Sequence, residues 1–271
     1  MNCCCFPKPA RVLQNEIILP PDNTSMQDAV STPEVFSVLE LDRSAWNDIQ
    51  IVEDLRRKIS LADTYFADLS GEFIRNGESG DVRLWYRPRN EIDPLIAKGE
   101  ILIRNEHDID LVLEVLTGSK HRAGWDLDNL RNIHIRDIHG NNLGNGKERV
   151  CQVYNAFKGR FGQPGRDFVF NEYTCKLNNH KAIHLIYSNP EDQCPLGFEP
   201  GNRGHFIRAN TILGAYQLEK ELNGIRVHFI NQTDIGGKLP DWISDMVLKK
   251  SPEKLSYISI YISKLRNNNM Q

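Results

Sequence analysis

Hydrophobic and polar positions along this chain recur with two different periods. Near the start of the ordered pattern, Trp46, Ile49, Val52, Leu55 and Ile59 return every three to four residues, with Asp48, Glu53, Arg56, Arg57 and Lys58 between them. That period predicts an amphipathic helix, and Ser44 is placed to cap it. A second helical stretch is expected from 108 to about 122. Ile109, Val112, Leu113 and Leu116 share one face there, and Asn105 or Asp108 can cap it. Elsewhere the pattern shortens to strand-like runs. Residues 72–74 and 81–87, separated by Asn76-Gly77-Glu78-Ser79-Gly80, predict a hairpin, and 99–104 predicts a further strand. Five runs follow at 133–138, 149–157, 166–177, 181–187 and 205–219, bounded by Gly, Asn or Pro, and 224–231 is the last strand.

The end of the chain turns helical again. Asp234-Ile235-Gly236-Gly237 makes a turn, and Pro240 opens a long terminal helix, since proline is favoured at the first helical position. Trp242, Ile243, Met246 and Val247 line one face; Ser251-Pro252 interrupts the helix; Leu255, Ile258, Ile262 and Leu265 resume it. Residues 1–40 contrast with this. Pro7, Pro9, Pro20, Pro21 and Pro33 remove backbone donors and break any period, so a flexible tail is expected there and a folded domain over 41–271. A long antiparallel sheet closed by an apolar helix predicts an α+β domain able to enclose a cavity. An apolar cavity with few polar groups suits a lipid.

Composition narrows the partners. A net charge of −3 gives no bulk attraction to nucleic acid, so none is expected. No apolar run approaches the ~20 residues that span a bilayer. Residues 1–20 lack a basic start followed by an apolar core, so a cytosolic protein without structural disulfides is expected. Cys151 and Cys175 stand in strand-like runs, as small buried hydrophobes do, and the cysteine spacing fits no zinc pattern. Cys3, Cys4 and Cys5 are consecutive and are followed by Phe6, Lys8 and Arg11. They either have no role or carry acyl chains, and several chains would hold a membrane where one would not. Asn2 stands where myristoylation needs glycine. His180 falls in a turn and His184 on a strand, and His134 and His139 lie five apart, so the histidines predict neither metal nor catalytic site. No cofactor is expected. The glycine-rich stretch 140–146 lies between two strands and predicts a hairpin loop; a phosphate cradle would need a helix after it. Lys249, Lys250 and Lys254 form a basic cluster beside the helix break, either a solvated face or a contact for anionic lipid.

Four motifs carry a family resemblance. They are Arg122-x-x-Trp125-Asp126, Arg166-Asp167-Phe168, Ile207-Arg208-Ala209, and Asn231-Gln232-x-Asp234-x-x-Gly237-x-x-Pro240-x-Trp242. In this order and spacing, over roughly residues 46 to 265, the chain resembles the START (steroidogenic acute regulatory protein-related lipid transfer) domains. The resemblance implies a helix-grip fold, a curved sheet wrapped around the C-terminal helix, and transport of a single lipid without chemistry. In phosphatidylcholine-binding members an arginine and an aspartate hold the headgroup, and Arg122 and Asp126 match them. The aromatic cage for choline matches Asn155, Phe168 and Ile212, of which one is aromatic. A glycerophospholipid with a hydrogen-bonding headgroup is therefore expected, ahead of a sphingolipid or a sterol. Glu172 and Arg208 complete the candidate lipid contacts, although Arg208 can instead pair with Asp167. Gly236 and Gly237 are the expected hinge, with Trp242 and Met246 on the lid. Membrane contact is expected to be transient or through the acylated tail. Two other readings stay open: a lipid sensor that transfers nothing, and a helix-grip enzyme such as a thioesterase or cyclase, with Glu172 as its base.

Overall fold

The two periods of the sequence resolve into ten strands and five α-helices among the described residues. The computed structural model describes residues 48–68, 71–138, 148–159, 162–188, 197–199 and 206–269, all within the unit Trp46–Gln271. The expected tail over 1–40, the Ser44 cap, Trp46 and the 140–146 loop lie outside the described residues.

The order is α1 (Asp48–Ala67), β1 (Ile74–Ser79), β2 (Val82–Arg87), β3 (Ile96–Arg104), α2 (Ile109–Thr117), α3 (Ser119–Trp125), β4 (Asn129–Ile138), β5 (Glu148–Phe157), β6 (Arg166–Asn178), β7 (Lys181–Ser188), β8 (Ile207–Arg208), β9 (Asn210–Glu221), β10 (Gly224–Asp234), α4 (Asp241–Lys249) and α5 (Lys254–Asn269). A short 3-10 turn, Ser251–Glu253, joins the last two helices at the expected Ser251-Pro252 break. The strands form one sheet in the order β1-β2-β3-β10-β9-β7-β6-β5-β4, antiparallel along this path; β8 pairs with β6 in parallel.

Local details depart from the sequence reading where glycine intervenes. The helix expected from 108 to 122 breaks at Gly118, whose backbone is extended, into α2 and α3. Asp108 caps α2, accepting from the backbone N–H groups of Asp110 and Leu111 at 2.9 and 3.2 Å. The first hairpin turns at Gly80 and Asp81, because Ser79 already pairs with Val82 and Gly77 is taken up by a strand irregularity. The run 205–219 divides into β8 and β9 at Ala209.

Each face of the sheet carries its own apolar layer. Helix α1 lies on the outer face, with Leu55, Ala62 and Tyr65 against Tyr173, Cys175, Leu185, Leu213 and Ile230. On the inner face Leu255, Ile258 and Ile262 of α5 meet Ile101, Ile103, Val227 and Phe229, together with the apolar side of α2. These three α5 side chains are nearly fully buried, which is worth roughly 1.5–3 kcal/mol each. Strand β3 admits the helix break because it has a glycine there: a Cβ on Gly99 would collide with the Cβ of Pro252.

Gly99→Ala therefore forces the pyrrolidine ring and the start of α5 outward. Stability should fall by about 1–3 kcal/mol in a denaturant titration, the usual cost of overpacking. An unchanged midpoint would mean that the break does not rest on β3.

Candidate functional site

The strand register sets two rows of side chains across the inner face. One row runs Thr174, His184, Tyr216, Phe229, Gly99 and Leu84, each opposite the next on a neighbouring strand. The adjacent row includes Cys151, Glu172, Ile186 and Gly214. The layer is largely apolar, with Glu172, His184 and Tyr216 buried near its middle. His184 and Tyr216 stack with ring centroids 5.9 Å apart, and Tyr216 meets Phe229 at 4.6 Å.

Arg122 reaches this group from α3. Its helix is anchored by Trp125, whose indole Nε1 donates to the Val115 carbonyl at 3.0 Å. The Arg122 guanidinium lies over the Trp125 ring, 4.8 Å from the centroid, and is itself buried. Its Nη1 stands 3.8 Å from the Asp126 carboxylate. Lys254 of α5 comes closer, donating to both Asp126 oxygens at 3.1 and 3.2 Å. Asp126 thus already has an ammonium partner, supplied by the covering helix.

Burial and the Arg122 charge set the protonation states. Burial pushes the Glu172 carboxyl up to about 7, with Arg122 and Arg149 pulling the other way. His184 is held down to about 3, first by burial and then by the repulsion of Arg122, so the imidazole is neutral at pH 7. Burial likewise raises the Tyr216 phenol. Arg122 Nε, His184 Nε2 and Asn155 Nδ2 are among the buried side-chain atoms that have no hydrogen-bond partner in the described residues. Buried polar atoms are ordinarily paired, and leaving one unpaired costs ~1–3 kcal/mol.

Among the sequence candidates, Arg122, Asp126 and Glu172 come together. Asn155 and Phe168 face each other across β5 and β6 on the same inner face; Phe168 stacks on Phe170 at 5.0 Å, and Asn155 Oδ1 accepts from Asn129 Nδ2 at 2.9 Å. Arg208 does not join them. Its guanidinium pairs with the buried Asp167 carboxylate at 3.1 Å and donates to the Phe198 carbonyl. Asp167 stands opposite Ala156, whose side chain packs with Tyr154 and Val169 in a cluster separate from the inner layer. Gly236 and Gly237, the expected hinge, lie in a corner tied by hydrogen bonds. Arg166 Nε donates to the Ile235 carbonyl at 2.7 Å, the Gly236 N–H to Asp234 at 2.9 Å, and a Cβ on Gly236 would press on the Arg208 carbonyl at 2.6 Å. Trp242 is exposed and Met246 half-buried. Lys249 lies over the Tyr86 ring at 3.8 Å, so of the basic cluster only Lys250 is exposed and outside these contacts. Cys3, Cys4 and Cys5 lie outside the described residues. Sequence reasoning missed Tyr216, the role of His184 and the pairing of Lys254 with Asp126. No described helix is long and apolar enough to cross a membrane.

No family profile matches this chain, and no curated protein matches it. Solved structures do. Human StAR-related lipid transfer protein 5 superposes with a TM-score of 0.64 at 14% identity, over 79% of this chain and 99% of that one. Human STARD10 gives 0.58 at 16%, over 74% and 76%. The lipid transfer and protein localization domain of human StarD13 gives 0.54 at 16%, over 70% and 88%. The fold is the START-like helix-grip, as the four motifs implied.

The neutral imidazole has a consequence for acid stability. The unfolded chain protonates His184 near 6.5, whereas the folded chain resists until about 3. Below 6.5 the unfolded state therefore binds the extra proton, and the His184 contribution to stability falls with pH by up to ~1.4 kcal/mol per unit, opposed down to about pH 4.5 by Glu172, whose raised carboxyl takes its proton first in the folded state. Urea titrations from pH 7 to 4 should show a shallower fall for His184→Gln than for the parent; parallel curves would remove His184 as the cause.

Proposed function

We propose that this domain binds a single amphiphilic lipid, a glycerophospholipid, between the inner face of its sheet and α5, and carries it between membranes without chemical change. The observation that carries this reading is the buried polar group of Arg122, Glu172 and His184, with unpaired atoms, inside a largely apolar layer of a START-like fold. A phosphodiester is suited to the Arg122 guanidinium, whose planar fork donates two bonds, and it would relieve the unpaired Nε. The acyl chains would lie along the apolar rows. Hiding a methylene from water is worth ~0.8 kcal/mol, so a chain of about sixteen gains on the order of 13 kcal/mol. That is the barrier to spontaneous desorption, and a shielding interior lowers it.

Two contacts refine the headgroup. Lys254 already neutralises Asp126, so a choline-type cation has no free carboxylate to meet there. The group left unpaired on Asn155 is its amide NH2, a donor, which calls for an acceptor oxygen such as a hydroxyl of inositol or glycerol. Acyl chains on Cys3, Cys4 and Cys5 would hold the carrier at one membrane while the domain exchanges lipid.

Native mass spectrometry with lipid extraction, paired with transfer of labelled lipid between vesicles, tests the reading. A phospholipid rich in inositol or glycerol headgroups should co-purify one to one. Arg122→Leu should cut its uptake at least tenfold. Arg208→Ala should instead lower stability by ~3–5 kcal/mol, through the stranded Asp167 carboxylate, with the lipid profile unchanged. Absence of any bound lipid and any transfer would sink the proposal; a profile dominated by phosphatidylcholine would overturn the headgroup assignment alone. For the tail, serine at Cys3, Cys4 and Cys5 should move the protein from the membrane fraction to the supernatant of fractionated cells, and unchanged partition would retire the anchor.

A further inference from the structure

The row that carries Glu172 continues past Cys151 to the edge of the sheet, where Cys151 faces Asp137 of β4. In an unbroken strand, residues three apart point to opposite faces. Here the β4–β5 register shifts between His134 and Arg136, and this bulge turns His134 and Asp137 to the same side. His134 Nε2 comes to 3.6 Å from Asp137 Oδ1. The ligand atoms of His134, Asp137 and Cys151 all lie within 4.8 Å of one another. No other cluster of three such side chains occurs among the described residues.

We propose that His134, Asp137 and Cys151 form a binding site for a divalent transition-metal ion of the zinc type, with water as the fourth ligand. Imidazole nitrogen, carboxylate oxygen and thiolate sulfur are the donor set zinc takes. With bonds of ~2.0–2.3 Å, tetrahedral ligands stand about 3.3–3.8 Å apart, a spacing His134 and Asp137 already have. The remaining closure falls mainly to the half-exposed His134 side chain, and the exposure of His134 and Asp137 leaves the ion a path from solvent. Cys151 is the buried member. Arg149 holds Asp137 Oδ1 through Nε and Nη2 at 3.1 and 3.0 Å. Arg149 thereby orients the carboxylate from outside, as partners of metal ligands commonly do. Thiolate and carboxylate together cancel the charge of the ion, so Arg149 faces a neutral site. On binding, the thiol proton passes to solvent and a metal–sulfur bond takes its place. The ion would fasten the edge strand β4 to β5 at its irregular point. Nothing in this site depends on which lipid is carried, or on whether one is carried.

Cobalt(II) is the probe, titrated into the full chain bearing serine at Cys3, Cys4 and Cys5 so that the tail thiols do not compete. The expected result is one equivalent bound, with a near-ultraviolet thiolate-to-cobalt band and the intense visible bands of a four-coordinate ion. Cys151→Ser should abolish the sulfur band. His134→Ala, at a half-exposed position that the fold does not need, should weaken binding at least tenfold. Zinc should raise the melting temperature of the parent and leave that of His134→Ala unmoved. Absence of the band in the parent overturns the proposal, as does a band that survives Cys151→Ser and disappears with Cys175→Ser or Cys194→Ser.

Discussion

The packing of α5 against the inner face of the sheet is the contact on which the rest depends. Leu255, Ile258 and Ile262 provide the apolar stripe, and the sheet answers with Ile101, Ile103, Val227 and Phe229. Gly99 lets the helix break come down onto β3, and Gly124 gives α3 room beside the Tyr261 ring. Because the helix covers the sheet in this way, whatever polar groups lie beneath it are out of water. Burial, as the largest cause, then moves the Glu172 carboxyl and the His184 imidazole far from their solution behaviour. Position in the fold, more than residue type, gives these groups their properties.

The same contact explains why Arg122 and Arg208 differ. Both are arginines beside a carboxylate in a family-like motif. Arg208 is fully engaged by Asp167 and the Phe198 carbonyl, and its free energy is spent on the fold. Arg122 has only a distant carboxylate, which Lys254 satisfies better, and a guanidinium nitrogen without a partner. An arginine with capacity left over inside an apolar layer is the stronger candidate for meeting a ligand.

Much of the architecture was legible in the sequence. Strands at 149–157, 166–177 and 181–187 lie within one or two residues of those found, since their ends are set by glycine, proline and asparagine turns. The break at Gly118 and the turn at Gly80-Asp81 were not legible, because one glycine reads equally as a weak helix position, a bulge or a turn. The interior was harder. β7 is buried on both faces, so its run gives no alternation to say which side His184 occupies. Arg122 and Glu172 were reached through family motifs rather than period. The His134, Asp137 and Cys151 cluster exists only because of a bulge in β4, which a period of two places wrongly by one face.

The seam between β3 and β10 bears on how the chain reaches this state. Gly224 pairs with Arg104 and Gln232 with Ile96, across a long intervening stretch of sequence. The entropy of closing so large a loop is lost before the pairing returns any gain, which makes such seams slow to form. The two sections of sheet on either side of it are each built from near neighbours, but neither presents α5 with its complete bed until the seam is shut. Emerging from a ribosome, the chain must therefore wait for β10 before its interior can be sealed, and until then the exposed apolar rows are the segment most in need of a chaperone.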